Sequence, residues 1–401
     1  MTPTAVGGDP LRAAAEPPKQ IVVLGAGSWV KDRYAPALRP YCEDGRCGLF
    51  VVYDTDFAGD ADAYNERTRE NVREFTSWGA TCLDLASPET HDKLAGIAPH
   101  TVFVVTPDET HCVAVSEWLG RAANIIVEKP FDVDAERIRR LRTRIDGSST
   151  KVWGFDHYLV RANQFVRMRE YLGVDDFLEE KVTSFTFHMF EASDRGMRER
   201  APSLQQGMIL DMAIHAQAML LPFVGAGGVR LDGVHAGIYD GDKARGIAPG
   251  RSIMRSGMET AAEVRFRFDT VYGTEARGVV RVGKCVGARD DKRTWVVGGE
   301  RGDRTVCLDL GSQIVDFEGG GVSGPVTSLF ARPVALLVRE VMEGRSADSL
   351  ALFSPEVAQE MVSRTAAWRR PIVDFVEGGG ELATYPACTP FEAFRERLTP
   401  L

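Results

Sequence analysis

Long apolar runs are missing from this 401-residue chain: nowhere does it string together the roughly 18 to 20 apolar residues that a membrane helix needs. The N-terminal residues also lack a basic segment followed by an apolar one, the mark of a secretory leader. These absences lead to the expectation of a soluble, cytoplasmic protein with no membrane partner. Cysteine is sparse and odd in number, seven in all, with Cys42 and Cys47 the only near neighbours. Such spacing fits neither a disulfide framework nor a zinc site, and reduced thiols are expected. An excess of basic residues is absent too. The formal net charge of -9 argues against nucleic acid as the main partner. What is present, 44% hydrophobic residues over this length, fills two ordinary cores.

Residues 1–18 mix Gly, Pro, Ala and polar residues without a period and read as a disordered tail. From Lys19, "QIVVLGAGS", "LFVVYDTD", "TVFVVTPDETH" and "NIIVEKP" are short β-branched runs that stop at turn residues, with helix-like segments between them. The alternation predicts a doubly wound parallel sheet over residues 19–150, with its ligand site at the carboxyl ends of the strands. Beyond residue 150 the period becomes two. In "ETAAEVRFRFDT", Val264, Phe266 and Phe268 share one face, while Glu263, Arg265, Arg267 and Asp269 share the other. With "KVTSFTFHMFEA", "EARGVVRVGK", "RTWVVGG" and "RTVCLDL", this predicts a large open, mainly antiparallel sheet over residues 151–401, with helices on one face. The other face is left for helices, solvent or another subunit, and a homo-oligomer, most simply a dimer, is expected. The fold class is therefore α/β followed by α+β.

The first chemical motif is "LGAGSWVKDRYAPAL". Gly25 and Gly27, with Ser28, follow a strand and open a helix, a turn that lets a pyrophosphate approach backbone amides. Val30 stands where that fingerprint has its third small residue. At the end of the next strand, Asp54 is placed to accept hydrogen bonds from both ribose hydroxyls, and its charge would repel a ribose phosphate. NAD is thereby favoured over NADP. Asp56 reads as a solvated loop acid. In "VEKPF", Lys129 is locked by Pro130 at a strand end and points toward a nicotinamide crevice, with Glu128 anchoring it or holding the loop. In "GMILDMAIHAQAML", Asp211 and His215 lie four residues apart, on one face if the segment is helical. No third ligand at suitable spacing accompanies them, so no metal is expected.

These stretches, "GAGSWVKDRYAPAL", "TPDETH", "EKPF", "FDHYLVR" and "ILDMAIH", together resemble the glucose-6-phosphate dehydrogenase family and its broader relatives, the glucose-fructose oxidoreductase/inositol dehydrogenase (Gfo/Idh/MocA) superfamily. The resemblance runs from Lys19 to near the C-terminus, and "ARGVVRVGKCVGAR" and "ALFSPEVAQEMVSRTAAW" extend it. It implies an N-terminal Rossmann domain and a catalytic set of His215, Asp156 and Lys129. Asp156 would orient His215, while His157, Tyr158 and Arg161 hold a substrate phosphate. Glu191 and Asp211 would accept sugar hydroxyls, and Lys284 and Arg289 would add positive charge. Thr106, Pro107, His111 and Glu128 would join Gly25, Gly27, Ser28 and Asp54 on the cofactor side. In the broader superfamily the lysine is usually the base, so His215 and Lys129 both remain candidates.

The departures also carry information. Val160 and Arg161 replace a glycine and a lysine of the Asp-His-Tyr stretch, and Asp211 precedes His215 by four residues where the narrower family has five. Tyr53 to Thr55 stand where NADP enzymes place an arginine, which supports NAD. The glycine-tryptophan-glycine-proline turn is replaced by "ACTPFEA". The expectation is an NAD-dependent dehydrogenase that takes hydride from a hydroxyl of a phosphorylated hexose. Two alternatives stand beside it. One is oxidation of a ring secondary hydroxyl on an unphosphorylated sugar, cyclitol or nucleotide sugar in a specialised pathway. The other is a non-catalytic NAD-sensing protein.

Overall fold

The computed structural model describes residues 17–54, 62–160, 162–163, 182–191, 207–239, 259–284, 293–299, 305–309, 314–318, 333–344, 352–385 and 389–401. Its first sheet is built from six parallel strands: β1 (Lys19–Leu24), β2 (Cys47–Tyr53), β3 (Thr81–Asp84), β4 (Thr101–Val104), β5 (Asn124–Val127) and β6 (Lys151–Phe155). They lie in the order β6-β5-β4-β1-β2-β3. Ile21 to Val23, Val102 to Val104 and Ile125 to Val127 are buried on both faces, and this is why these strands read as continuous apolar runs. Val22, Val104 and Ile125 point into one core and Ile21, Val23 and Phe103 into another, so the sheet is covered on both sides. Among the elements that separate the strands are α1 (Ala35–Glu43), α2 (Asp62–Ser77), α3 (Pro88–Ala95), α4 (His111–Trp118) and α5 (Ala135–Asp146). Strand order reverses between β1 and β4, which opens a crevice at the carboxyl edge of the sheet.

The second sheet contains β7 (Val182–Glu191), β8 (Val224–Tyr239), β9 (Ala261–Thr270), β10 (Glu275–Lys284), β11 (Arg293–Gly299), β12 (Thr305–Asp309) and β13 (Ile314–Glu318). The chain then returns to the first sheet as β14 (Leu352–Phe353), antiparallel to β6, so the first sheet takes strands from beyond residue 150. Finally β15 (Ala383–Tyr385) and β16 (Thr399–Pro400) dock on β8. The order is β13-β12-β11-β7-β10-β9-β8-β15, and the described pairings are antiparallel except β7 with β10 and β8 with β15. The period of two holds in space: Val264, Phe266 and Phe268 are buried while Arg265 is exposed.

Four more α-helices are α6 (Ile214–Leu220), α7 (Pro333–Glu343), α8 (Pro355–Glu377) and α9 (Phe391–Phe394). Two of them, α6 and α8, cover the apolar face of the second sheet, where the Trp368 ring centre lies 4.9 Å from that of Phe266. Every residue of α6 is buried. Its Ile214 and Ala218 pack into the core of the first sheet, and Ala216 and Met219 into that of the second. His215 is thus carried on a wedge between the two sheets. Among the described residues no helix is long and apolar enough to cross a membrane.

Candidate active site

Gly25 ends β1 with φ at +111°, and a Cβ added there would meet the Val105 carbonyl oxygen at 2.6 Å. Only glycine tolerates both the left-handed backbone and that approach. Gly27, by contrast, has nothing within 4 Å of an added Cβ, so space is open above it. A helix starts at Ser28, passes through a π-helical turn at Val30–Tyr34 and continues as α1. The start of such a helix attracts anions. Parallel pairing of Leu24 with Val52 puts Gly25 and Asp54 at the same edge. Open space at Gly27, a helix start and an acid one strand away fit a dinucleotide. Gly25→Ala is expected to cost about 1–3 kcal/mol through backbone strain and to weaken cofactor binding, as read by thermal denaturation and cofactor titration.

Lys129 follows β5 and precedes a cis peptide bond to Pro130. Its Nζ lies 3.4 Å from Asp211 Oδ1 and 3.3 Å from the Asp211 carbonyl oxygen. Glu128 is buried, and its Oε1 accepts hydrogen bonds from Trp29 Nε1 (2.8 Å) and the Tyr34 hydroxyl (2.7 Å). Burial raises the Glu128 carboxyl above its ordinary range, against the lowering effect of those two donors. The two residues that hold Glu128 flank or belong to the π-helical turn that follows the glycines, so the dinucleotide turn and the Lys129 loop are joined. His111 braces the same loop from below: Nδ1 meets the Pro130 carbonyl oxygen and Nε2 that of Thr106, each at 2.8 Å. The Thr110 hydroxyl bonds Thr106 Oγ1 at 2.8 Å and the Pro107 carbonyl oxygen at 2.7 Å, fixing the turn after β4.

Asp156 follows β6 and is fully buried. One oxygen, Oδ1, accepts the Tyr158 amide at 2.7 Å, and the other, Oδ2, lies 2.8 Å from His215 Nδ1. Burial alone would raise the Asp156 carboxyl, but His215, through charge and hydrogen bond, His157 and the Tyr158 amide bring it down to about 2. Burial pushes the His215 imidazole below the ordinary histidine range, against the pull of Asp156 and with the help of the Lys129 ammonium. The pair at neutral pH is therefore a carboxylate and a neutral imidazole that keeps its proton on Nδ1, leaving a lone pair at Nε2. Rings pack around the dyad: Tyr158 lies 4.3 Å and His157 4.9 Å from the His215 ring, and Trp29 lies 5.2 Å from His157.

Asp211 and His215, read from their spacing as one pair, belong to two. A second π-helical turn, Ile209–Ala213, carries Asp211 to Lys129, and α6 carries His215 to Asp156. The ligand atoms of Asp156, His157 and His215 lie within 4.8 Å of one another, a grouping that spacing did not reveal. Both Asp156 oxygens are already committed to protein donors there. Tyr158 is buried among His157, His215 and Phe187. Glu191 and Lys284 are register partners on β7 and β10, while Arg161, Arg289, Thr55, Asp56 and residues 1–16 lie outside the described residues.

Sequence reasoning missed four supporting groups. Trp29 and Tyr34 hold Glu128. Buried Glu259 accepts the Ile209 amide at 3.1 Å and pairs with Arg369 at 3.3 Å, so it anchors the turn that bears Asp211.

The fold, a parallel sheet covered on both sides followed by a mainly antiparallel sheet, is shared with solved sugar dehydrogenases. Three solved structures show the likeness. Glucose-6-phosphate 1-dehydrogenase from Mycobacterium avium matches with a TM-score of 0.62 at 18% identity, over 94% of this chain and 96% of that one. The WlbA dehydrogenase from Bordetella pertussis, solved with NADH and UDP-GlcNAcA, matches with a TM-score of 0.62 at 14% identity, over 90% and 96%. KijD10, a 3-ketoreductase from Actinomadura kijaniata solved with NADP and TDP-benzene, matches with a TM-score of 0.60 at 14% identity, over 92% and 100%. No family model matches the chain, nor does any curated protein.

Proposed function

We infer that the protein is a nicotinamide-dependent sugar oxidoreductase. The observation that carries this reading is the meeting of an Asp156–His215 dyad and a Lys129–Asp211 pair at the carboxyl edge of a parallel sheet whose neighbouring strands end in Gly25 and Asp54. Gly25, Gly27, Ser28 and Asp54 would hold the cofactor, with Asp54 favouring NAD. When bound, the nicotinamide ring supplies the hydride acceptor. His215 Nε2 takes the hydroxyl proton of the sugar, and the Asp156 carboxylate fixes the tautomer and stabilises the imidazolium that forms. The Lys129 ammonium, steadied by Asp211, donates to the reacting oxygen as negative charge gathers there. A sensor of NAD would need neither group.

The sugar is proposed to be a phosphorylated hexose, with His157 at the mouth of the dyad and Arg161 following it in sequence. The four-residue step from Asp211 to His215 favours a second reading, a ring secondary hydroxyl on a free or nucleotide-linked sugar. Nicotinamide absorbance over a panel of hexose phosphates, free hexoses, cyclitols and nucleotide sugars separates the two. Turnover confined to phosphorylated hexoses supports the first, and turnover confined to the others overturns it.

Two further results are expected. Asp54→Ala narrows the preference for NAD over NADP in paired kinetic assays; a wild-type enzyme that already prefers NADP contradicts the role given to Asp54. Because burial lowers the His215 pKa, the base stays neutral below the ordinary histidine value of about 6.5. The acid limb of kcat/KM should accordingly fall off only below that pH, as a pH–rate profile would show.

A further inference from the structure

At the edge of the first sheet remote from the cofactor, the connection between α1 and β2 brings two thiols together. Cys42 Sγ lies 2.9 Å from Cys47 Sγ, and either atom can donate the hydrogen between them. The backbone holds this approach firmly: the Arg46 amide bonds the Tyr41 carbonyl oxygen at 2.9 Å, and Gly45, at φ +68°, bonds that of Cys42 at 3.0 Å. Cys47 is fixed in the ladder opposite Lys19, and the Arg46 guanidinium stacks 4.4 Å from the Tyr41 ring centre. Cys47 is buried and Cys42 is half-buried, so reagents reach Cys42 more readily. The hydrogen bond from Cys42 lowers the Cys47 thiol below its ordinary range, against burial and with help from Arg46. Neither residue takes part in the chemistry proposed above.

We propose that Cys42 and Cys47 are a reversible modification site, an intramolecular disulfide formed by exchange with a small-molecule disulfide such as the oxidised form of a cellular thiol. The Cys47 sulfur, as thiolate, accepts the Cys42 proton while Cys42 attacks one sulfur of the oxidant. A mixed disulfide forms on Cys42 and one small thiolate leaves. That thiolate takes the proton from Cys47, which then attacks Cys42 Sγ and expels the second small thiolate. One S–H bond and one thiolate of the protein become one S–S bond while the S–S bond of the oxidant breaks, and its two halves leave as one thiol and one thiolate that carry away the proton and the two electrons. The new bond closes the far end of a helix–strand unit whose near ends carry the glycine turn and Asp54. Oxidation is therefore expected to raise the thermal midpoint by a few degrees and to leave turnover unchanged.

Trypsin makes the test specific, because it cuts after Arg46 and separates the two cysteines. The full-length protein is incubated with glutathione disulfide, quenched with an alkylating agent and digested without reduction. The expected product is the peptide "YAPALRPYCEDGR" joined by a disulfide to the peptide that begins "CGLFVVYD", released by dithiothreitol, with a loss of two hydrogens from the pair. Cys42→Ser should abolish the linked peptide, and Cys47→Ser should stop the reaction at a mixed disulfide on Cys42. The proposal is overturned if both peptides are recovered alkylated, if the wild type stops at a mixed disulfide, or if either cysteine is linked instead to another part of the chain.

Discussion

Replacing His215 by Asn should lower turnover by on the order of a hundredfold or more while leaving cofactor affinity nearly unchanged. The side chain is buried on α6, on the wedge between the sheets, and bonded through Nδ1 to Asp156, whereas the glycine turn that would hold the nucleotide is built from backbone at Gly25 and Gly27. Asn keeps a donor for the Asp156 carboxylate and fits the volume, so a fold-wide collapse would not confuse the result. It has no lone pair basic enough to take the sugar hydroxyl proton. Turnover near that of the wild type would move the base to Lys129, whose ammonium would then have to give up its proton beside Asp211. Steady-state kinetics with a separate cofactor titration decide between these.

Asp156→Asn should have an equal or larger effect, roughly 10²–10⁴-fold in kcat. The amide can present an N–H toward His215 Nδ1, which would shift the imidazole proton to Nε2 and remove the lone pair that the reaction uses. The loss should fall in kcat more than in KM, because the altered group acts on a proton in flight. The same carboxyl also ties folding to pH. Held at about 2 in the folded chain, against about 3.9 when unfolded, it contributes stability that is fully present above pH 3.9. That contribution is lost as pH falls toward 2. In the Asn variant the melting temperature should respond less steeply to acid over that window, by calorimetry.

Much of the fold was legible because the two sheets have different periods. Continuous runs such as "QIVVL" require burial on both faces, and the alternation at Val264, Phe266 and Phe268 requires one dry face and one wet one. The strand ends that bear Asp54, Lys129 and Asp156 were visible as apolar runs breaking into polar residues. Of their partners, His215 for Asp156 came with the family resemblance, while Asp211 for Lys129 did not show in the sequence. A spacing of four predicts one helical face only at 3.6 residues per turn, and the π-helical turn at Ile209–Ala213 breaks that assumption. Asp211 therefore finds Lys129, and His215 finds a carboxylate 59 residues earlier. The bonds from Trp29 and Tyr34 to Glu128, and the pairing of Glu259 with Arg369, span about a hundred residues each, and no local pattern announces contacts of that kind.

The central claim is that hydride passes directly from a sugar carbon to nicotinamide in this crevice. The most direct test uses sugars from the substrate panel carrying deuterium on the carbinol carbon, with mass spectrometry of the nicotinamide product. Reduced NAD that carries the deuterium is the predicted result. Cofactor that binds yet emerges unreduced with every sugar, or reduced without deuterium, would contradict the claim and leave the non-catalytic reading or a different reaction in its place.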